Sequence, residues 1–420
     1  MTAFTCGIVV LAVQHPNTDH LPAKSSSSSA PLTFGAAEGF AQGVVGGGGA
    51  SPVYPQSNRE LVAFLGDAAA RVIVLTQTID FTGSEGSTAA TGCAPWGTRP
   101  QCQLAIDHRG WCAKHQPRAP PARVNDNAGL LGIAVASRKT LVGRGSKGVI
   151  KGKGLRIVNG ATNVIIQNIA ITDINAKYVW GGDAITVNGA DMVWIDRVRI
   201  ARIGRQHIVL GHQANHRVTI SNSFFDGRTK YSATCDGHHY WGLYLTGARD
   251  LVTLKGNYIY HMSGRAPKIG ANTVVHAVNN FWLDNPGHAI GLAAEGSSAL
   301  VEGNVFQNVK QVYHQPIRGQ LFSAPDVKTN ALCKGPLGRK CRTNALSSSG
   351  GNVLRADTAF LLSFEHKSVA PASSSAWVKC CVRRRAGTKL FAVGTDTPIG
   401  NSDEDDSCAG CEQEEGEDEG

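Results

Sequence analysis

The segment HMSGRAPKIG places two cationic side chains, Arg265 and Lys268, on either side of Pro267. A guanidinium and an ammonium so close together can hold an anion or stabilise one that develops during a reaction. A basic surface turn would explain the same residues without any chemistry. Two more charged residues, Asp183 in WGGDAITV and Arg205 in ARIGRQHIV, also stand next to short strand-like segments. If those strands stack in register, all four side chains can project from one face.

These residue types match a metal site poorly. His238 and His239 in CDGHHYW are adjacent, and adjacent side chains of a strand point to opposite faces. One Asp beside Arg and Lys does not offer the oxygen-rich cage that calcium requires. We therefore expect neither a metal nor another cofactor. The chain also lacks G-x-S-x-G, P-loop and H-E-x-x-H motifs.

Aromatic residues form a second group of candidate site residues. They fall in loops or at strand ends and not at regular inward positions. Exposed rings on one side of a protein can stack on sugar rings or bases, and loop packing is the alternative explanation. The six residues are Trp96, Trp111, Trp180, Tyr240, Trp241 and Tyr244.

The elements that must position these side chains repeat along the middle of the chain. Each repeat alternates β-branched and polar residues, often reaches an Asn, and then turns. The repeats recur at roughly 22 to 34 residues, which is within the range of stacked solenoid coils. They are NVIIQNIAITDI (163–174), MVWIDRVRIARI (192–203), RVTISNSFFDG (217–227), LVTLKGNYIYHM (251–262), TVVHAVNNFWLD (273–284) and ALVEGNVFQNV (299–309).

The period of two indicates strands, and the uneven spacing indicates stacked coils with loops inserted at the corners. The frame of a leucine-rich repeat is absent, and propeller blades would be more even. We predict an all-β chain, a single-stranded right-handed parallel β-helix (a solenoid) over about residues 40–365, with long loops forming a cleft. Asparagines at the bends can adopt left-handed geometry and bond their stacked neighbours. They are Asn168, Asn222, Asn257, Asn279 and Asn304.

Charge is distributed unevenly over the 420 residues. The net charge is +9, yet residues 401–420 contain ten Asp and Glu and no Lys or Arg. The remainder is therefore strongly basic, which suits a polyanionic partner such as nucleic acid or an acidic polysaccharide, or reflects a solvated basic surface. The acidic tail is predicted to be disordered. No apolar run is long enough to span a membrane.

The eleven cysteines are clustered in loops. Cys93, Cys102 and Cys112 share a Gly- and Pro-rich loop, and Cys333 and Cys341 close a short basic loop. Neither group has zinc-ligand spacing, so disulfides of a secreted protein are the better interpretation. The N-terminal run TCGIVVLAV has no preceding basic residue and no clear cleavage site, which predicts a degenerate or mispredicted secretion leader over residues 1–33.

Several long strings together carry a family resemblance: DMVWIDRV, ARIGRQHIVL, YSATCDGHHYWG, SGRAPK, VVHAVNN and VEGNVFQNV, with the loop TGCAPWGTRPQCQ. Over about residues 34–345 the chain resembles the fungal pectin lyases of polysaccharide lyase family one. The resemblance implies a secreted, extracellular, monomeric enzyme without a metal. Its partner would be methyl-esterified homogalacturonan (pectin) of plant cell walls, not nucleic acid or membrane, and cleavage would proceed by β-elimination.

The resemblance also implies roles for individual residues. Arg265 matches the family's proposed base, Asp183 and Arg205 match its other cleft residues, and Lys268 matches a substrate-binding lysine. The six aromatic residues match the aromatic cleft. The implied disulfides are Cys93 with Cys112, Cys102 with Cys235, and Cys333 with Cys341.

The chemistry of the residues agrees with this implied reaction. A methyl ester makes the neighbouring C5 proton more acidic than a carboxylate does, so less electrophilic assistance is needed. Arg205 stands where the calcium-dependent relatives carry an acidic ligand, and together with Lys268 it can supply positive charge to the ester carbonyl. Arg265 can act as a base only with a strongly lowered pKa. The alternative is that Arg265 only binds substrate.

The chain departs from the family pattern in three places. Arg197 replaces a His, residues 287–303 lack an aromatic-rich segment, and no counterpart is recognised from about Ala376 onward. We therefore expect a β-helix lyase domain over 34–375 and an atypical, acidic, disordered tail over 376–420. The competing functions are a calcium-dependent pectate lyase, an inactive pectin-binding β-helix and, least favoured because clustered aspartates are absent, a polygalacturonase-type hydrolase.

Overall fold

The computed structural model describes residues 35–125 and 128–388. The predicted leader (1–33) and the acidic residues 401–420 lie outside the described residues. Within the described part, no helix has both the length and the apolar character needed to cross a bilayer.

Strands dominate the described residues, and most of them are short. In chain order they are β1 Pro52–Val53, β2 Arg71–Leu75, β3 Thr78–Asp80, β4 Ala89–Cys93, β5 Leu104–Ile106, β6 Pro121–Asn125, β7 Ile133–Ala134, β8 Lys139–Gly143, β9 Val149–Lys151, β10 Leu155–Val158, β11 Thr162–Gln167, β12 Ala170–Ile174, β13 Tyr178–Val179, β14 Ile185–Asn188, β15 Asp191–Asp196, β16 Arg199–Ile203, β17 Ile208–Leu210, β18 His216–Ser221, β19 Phe224–Asp226, β20 Leu243–Leu245, β21 Asp250–Lys255, β22 Tyr258–Tyr260, β23 Lys268–Ile269, β24 Thr273–Val278, β25 Phe281–Leu292, β26 Ser298–Glu302, β27 Val305–Tyr313, β28 Gln320–Phe322 and β29 Ala345–Ser347.

The helices are few and lie outside the repeats. The α-helices are α1 Asn58–Gly66, α2 Trp111–His115, α3 Val327–Asn330, α4 Lys334–Leu337 and α5 Ser375–Arg385. Short 3₁₀ helices cover Gly39–Ala41, His108–Gly110, Ala331–Cys333 and Ala359–Phe364.

Most coils contribute one strand to each of three parallel sheets. The first sheet includes β11, β15, β18 and β21, the second β12, β16, β19 and β22, and the third β10, β14, β17 and β20. One coil runs through β14, β15 and β16, the next through β17, β18 and β19, and the next through β20, β21 and β22. Equivalent strands of successive coils pair in parallel, so β15 pairs β18 and β18 pairs β21. The long strand β25 pairs both β22 and β23 and thereby joins the second and third sheets. The chain is a parallel β-helix, as the repeats predicted.

The core is a stack of identical or similar side chains rather than a mixed cluster. In the first sheet, Val164, Val193 and Val218 are direct register partners, and each is fully buried. In the second sheet, Trp282 and Phe306 stack with ring centroids 4.7 Å apart. Burial of such apolar side chains is the main stabilising contribution. The period-two pattern of each repeat therefore reports which residues point inward.

The asparagines of the repeats divide into two structural roles. Asn168, Asn222 and Asn279 have positive φ, at bends where few other residues are tolerated. Asn257 and Asn304 instead belong to a buried ladder, in which the side-chain amide of Asn257 donates to Asn280 Oδ1 at 2.9 Å. The ladder continues through Asn304 to Asn344 Oδ1, with amide-to-oxygen distances of 3.0 Å at each step. The three asparagines with positive φ also bond neighbouring coils, since Asn168 donates to Gly143 O, Asn222 to Asp196 Oδ1 and Asn279 to Gly303 O. The prediction of a structural role is therefore confirmed, and the continuous amide ladder is a second role carried by other asparagines.

The helix α5 lies inside the region that was predicted to be a disordered tail. Its residues Val378 and Val382 are buried against Tyr258, Phe281 and Val305 of the second sheet. That apolar contact stabilises α5 on the second sheet, so part of the segment for which disorder was expected forms a packed helix. Residues 389–420 lie outside the described residues.

Arg197 connects α5 to the repeats. Its Nη1 donates to the carbonyl oxygen of Arg385 at 3.3 Å, and its Nε lies 3.7 Å from the carboxylate of Asp196. A cation near the last carbonyls of a helix is favourable because those groups carry partial negative charge. Two of the departures from the family pattern, Arg197 and the segment after 375, are therefore in contact.

A buried carboxylate holds the C-terminal coils together. Glu302 is fully buried; its Oε1 lies 2.8 Å from His276 Nε2, and its two oxygens accept from Arg339 Nη2 and Nη1 at 2.7 and 2.9 Å. Arg342 N–H donates to the same carboxylate at 2.9 Å. Burial opposes ionisation, but the bonds from His276 and Arg339 outweigh it and lower the pKa of Glu302 to about 2. The disulfide loop between Cys333 and Cys341 is thereby fixed to β26.

We expect Glu302→Gln to lower the free energy of unfolding by about 3 kcal/mol at neutral pH, since the change leaves Arg339 without its buried partner. Denaturant unfolding would measure this change. Glu295→Gln, an exposed residue in the turn that precedes β26, is the matched control and should change stability little.

The same pair of proteins tests the pKa. Because the folded-state pKa of Glu302 is depressed from its ordinary 4.5 to about 2, its stabilisation is present above pH 4.5 and is lost toward pH 2. The stability difference between wild type and Glu302→Gln should shrink over that window. A difference independent of pH would contradict the assignment.

Candidate active site

The predicted charged residues lie along one edge of the third sheet, in the turns that lead into its strands. Asp183 precedes β14, Arg205 precedes β17 and Arg265 precedes β23. Backbone hydrogen bonds connect these turns coil by coil: Ala184 N–H donates to Gln206 O, and Leu243 N–H donates to Arg265 O. Since parallel neighbours are about 4.8 Å apart, equivalent turn residues of successive coils come close together.

Arg265 is enclosed by aromatic rings. Its guanidinium carbon lies 4.7 Å from the ring centre of Trp241, 4.9 Å from that of Tyr244 and 5.8 Å from that of Tyr240. Its Nε is buried and has no hydrogen-bond acceptor among the described residues. Burial lowers the pKa of Arg265; the two tyrosines oppose the shift, and Arg205 reinforces it.

Arg265 also has an unusual backbone. Its φ is +46°, and its carbonyl lies so close to Gly242 that a Cβ there would be 2.5 Å from the oxygen. Glycine at 242 is therefore required for the two coils to approach. A non-glycine residue at positive φ is a strained conformation that often occurs at functional sites.

Asp183 and Arg205 form a partly buried pair beside Trp180. The Asp183 carboxylate lies 3.5 Å from Arg205 Nη1 and accepts from Gln206 N–H at 2.8 Å. The Arg205 guanidinium carbon lies 4.0 Å from the Trp180 ring centre. Burial raises the pKa of Asp183, although Arg205, the Gln206 amide and Arg265 favour its charged form. The carboxylate thus faces two guanidinium groups.

Lys268 lies in the outward row of the third sheet. It pairs in register with Tyr244 on one side and Gly291 on the other, and its Nζ is 5.6 Å from the Tyr244 ring centre. Burial and the charge of Arg265 lower the pKa of Lys268. The structure therefore brings Asp183, Arg205, Arg265 and Lys268 to one region, as the strand pattern predicted.

Five of the six predicted aromatic residues form a continuous wall, and the sixth, Tyr244, contacts Arg265 and Lys268. Trp180 contacts Trp111 with ring centres 6.0 Å apart, Trp111 contacts Trp96 at 6.4 Å, and Trp96 contacts Trp241 at 5.7 Å. Tyr240 continues the series 5.0 Å from Trp241. Trp241 is largely buried, whereas the others are partly exposed. An apolar, ring-lined surface thus borders the charged residues.

A small separate sheet positions this wall. It contains β4, β5, β6 and β13, so the long loop that carries Trp96 and Trp111 pairs with the strand that precedes Trp180. The disulfide Cys93–Cys112 closes this loop on itself. The disulfide Cys102–Cys235 connects it to the loop that leads to Tyr240 and Trp241. With Cys333–Cys341, all three pairings that the resemblance implied are present.

Gln103 is a positioning residue that the sequence did not reveal. It is fully buried, its amide donates to Ala176 O and Gly204 O at 2.9 Å, and its Oε1 accepts from Trp241 Nε1 at 2.9 Å. One side chain thus connects the loop, the Arg205 turn and the wall. Only its position next to Cys102 could have suggested such a role.

Two buried histidines, His207 and His239, lie beneath the Arg205 turn and Trp241. His239 Nε2 lies 2.8 Å from Arg205 O and 3.1 Å from Trp241 O, and its ring stacks on His207 at 4.5 Å. Burial lowers the pKa of His239 to about 4, so it is a neutral donor to these carbonyls. His238 points away and stacks on His261 at 3.7 Å. Among the described residues, no group of three or more His, Cys, Asp or Glu could hold a metal ion.

Comparison with known sequences gives a family. A profile of the family described as Pectate lyase matches residues 112–374. The chain is 61% identical over 368 residues to pectin lyase B of Emericella nidulans, covering 87% of this chain and 96% of that protein. It is 61% identical over 366 residues to a probable pectin lyase A of Aspergillus fumigatus, covering 87% and 96%.

Comparison with solved structures supports the fold. A pectate lyase from a Bacillus species in complex with trigalacturonate has a TM-score of 0.54 at 18% identity, covering 84% of this chain and 98% of that one. A pectate lyase from Paenibacillus also has a TM-score of 0.54 at 15% identity, covering 86% and 97%. At such identities the likeness concerns the fold alone.

We expect Gln103→Leu to destabilise the chain by about 2 kcal/mol, because it leaves the Trp241 indole N–H and two buried carbonyls without partners. Denaturant unfolding measures the loss, and a red shift of tryptophan fluorescence reports opening of the wall. Gln101→Leu, an exposed change two residues away, is the control. Equal effects of the two changes would contradict the positioning role.

Proposed function

The chain belongs to the pectate lyase family, and on that premise we propose that it is a pectin lyase. It cleaves α-1,4-linked, methyl-esterified galacturonan by β-elimination, and its products are 4,5-unsaturated oligouronides. The identity of 61% over most of the chain with a fungal pectin lyase carries the class of reaction. The group of three cations around one carboxylate supports the esterified substrate. We infer that it acts on plant cell-wall pectin outside the cell, as a secreted monomer.

The reaction requires three events at one sugar residue. A base removes the proton at C5, the ester carbonyl carries the resulting negative charge, and the C4–O bond breaks to leave a C4–C5 double bond. Arg205 and Lys268 are the groups that can stabilise the developing charge on the carbonyl oxygen. Asp183 holds Arg205 and the backbone of Gln206 in place.

Arg265 is the proposed base. Its burial and the nearby Arg205 lower the pKa of the guanidinium, and this lowering prevails over the opposing effect of Tyr240 and Tyr244. The neutral form, once populated, has a lone pair available for the C5 proton. The aromatic wall excludes water from that proton transfer and offers flat surfaces for a neutral, esterified sugar chain.

One prediction from the proposed function concerns calcium. Production of unsaturated uronide from highly methyl-esterified pectin, followed by ultraviolet absorbance, should be unchanged by an excess of chelator, because the charge on the carbonyl is met by side-chain cations. Unesterified polygalacturonate should be a poor substrate. Activity abolished by chelator and restored by calcium would indicate the pectate lyase alternative, and binding without product would indicate an inactive pectin-binding β-helix.

Another prediction from the proposed function concerns Arg265. Arg265→Lys should lower kcat by about 10² to 10⁴, the range expected for loss of a positioned base, with a smaller change in KM. The base acts when neutral, so kcat/KM should rise with pH, and this rise should move to lower pH in the variant because lysine has the lower ordinary pKa. Steady-state kinetics across pH measures both effects.

The control for that experiment is Arg249→Lys, an exposed position outside the site, which should behave as wild type. Near-normal turnover of Arg265→Lys with an unchanged pH profile would show that Arg265 only binds substrate.

A further inference from the structure

A pocket opens beside Arg265, on the side of the coils that follow it. Its volume is about 180 Å³, and its polar lining includes Arg265, Lys268, His288, His314 and Arg318. The wall of tryptophans and the Asp183–Arg205 pair belong to the preceding coils. The pocket therefore extends the proposed active site away from the tryptophans, and Tyr240 lies at the border between the two.

The pocket is rich in nitrogen donors and free of acids. None of the ten described residues that line it is Asp or Glu. Two of its cations, Arg265 and Lys268, are neighbours whose charges disfavour each other, and the pKa of Lys268 is lowered in part for this reason. An anion placed between these groups would remove that repulsion.

The residue that pairs with Lys268 in the following coil has no side chain. This register partner is Gly291. A Cβ built at Gly291 would approach only the His314 side chain, at 3.4 Å, an ordinary van der Waals distance. Neither the packing nor the backbone therefore requires glycine there. The missing side chain leaves space beside the Lys268 ammonium.

His288 supplies a neutral donor to the same space. Its Nε2 accepts from the Arg265 backbone N–H at 3.3 Å, which leaves the proton on Nδ1. Its ring stacks on His314 with centres 4.1 Å apart. Burial, with the charges of His314, Arg265 and Lys268, lowers the pKa of His288 to about 4, so the ring stays neutral in the working range.

We propose that this pocket binds the free carboxylate of an unesterified galacturonate residue next to the esterified residue that is cleaved. Arg318, which the proposed reaction does not use, provides charge, and His288 provides a directed hydrogen bond. The inference rests on the proposed function. It means that the enzyme selects a pattern along the chain, with a neutral residue at the reacting position and an acidic residue in the following subsite.

The test compares kcat/KM for fully esterified and for partly de-esterified pectin, and binding of trigalacturonate by calorimetry. The ratio to measure is kcat/KM on partly esterified pectin divided by kcat/KM on fully esterified pectin. Arg318→Gln should lower this ratio by about fivefold, the effect of one exposed charge. The affinity for trigalacturonate should fall by a similar factor, and Arg318→Glu should lower both further. His314→Ala is a second variant. It removes an imidazole from the pocket and keeps the backbone hydrogen bond from His314 N–H to Ile290 O.

Arg249→Gln, an exposed arginine outside the pocket, controls for net charge and should leave ratio and affinity unchanged. An unchanged ratio and affinity in the Arg318 variants would overturn the inference while leaving lyase activity intact. If neither of the two pectins gave product, the proposed function would be refuted instead. Binding of trigalacturonate would still test the pocket. Displacement of trigalacturonate by equimolar acetate would show that the pocket binds any small anion, and it would overturn the proposal.

Discussion

The parallel hydrogen bonding between successive coils is the constraint on which the rest of this structure depends. It fixes each turn against the next, as in the bonds from Ala184 to Gln206 and from Leu243 to Arg265. Residues that are about one coil apart in the sequence therefore become neighbours in space. A cleft of charged residues can be assembled in this way from turns alone, with the inward strands left free to form an apolar core.

Burial has two opposing effects at the site. It lowers the pKa of Arg265 and Lys268 and raises that of Asp183, so each charge is held at a cost. Aromatic faces and the single carboxylate offset part of this cost through cation–π contacts and charge pairing. The result is a set of cations with weakened hold on their protons, in a region from which water is partly excluded. Such an environment suits the transfer of one proton and the stabilisation of one developing anion.

Two of the three regions that depart from the family pattern contact each other. Arg197 bonds the end of α5, and α5 covers the second sheet with its buried valines. In the following coils, Gly291 leaves the ladder beside Lys268 without a side chain. One departure thus adds a covering helix on the face of the second sheet, while the other opens space at the proposed cleft.

The sequence by itself determined the coil repeat, the inward residues, and which four charged and six aromatic residues are candidates for the site. Period-two alternation reports burial directly, and the strings around Asp183, Arg205 and Arg265 are long enough to identify a family. Only the tertiary structure decided which asparagines form the amide ladder, that α5 packs on the second sheet, and that Gln103, His239 and His288 contact the candidate site residues. Their contacts join residues far apart in the chain, such as Gln103 to Trp241, and no local pattern encodes a hydrogen bond between distant segments. The pKa directions depend on burial and on neighbouring charges, and these exist only once the coils are stacked.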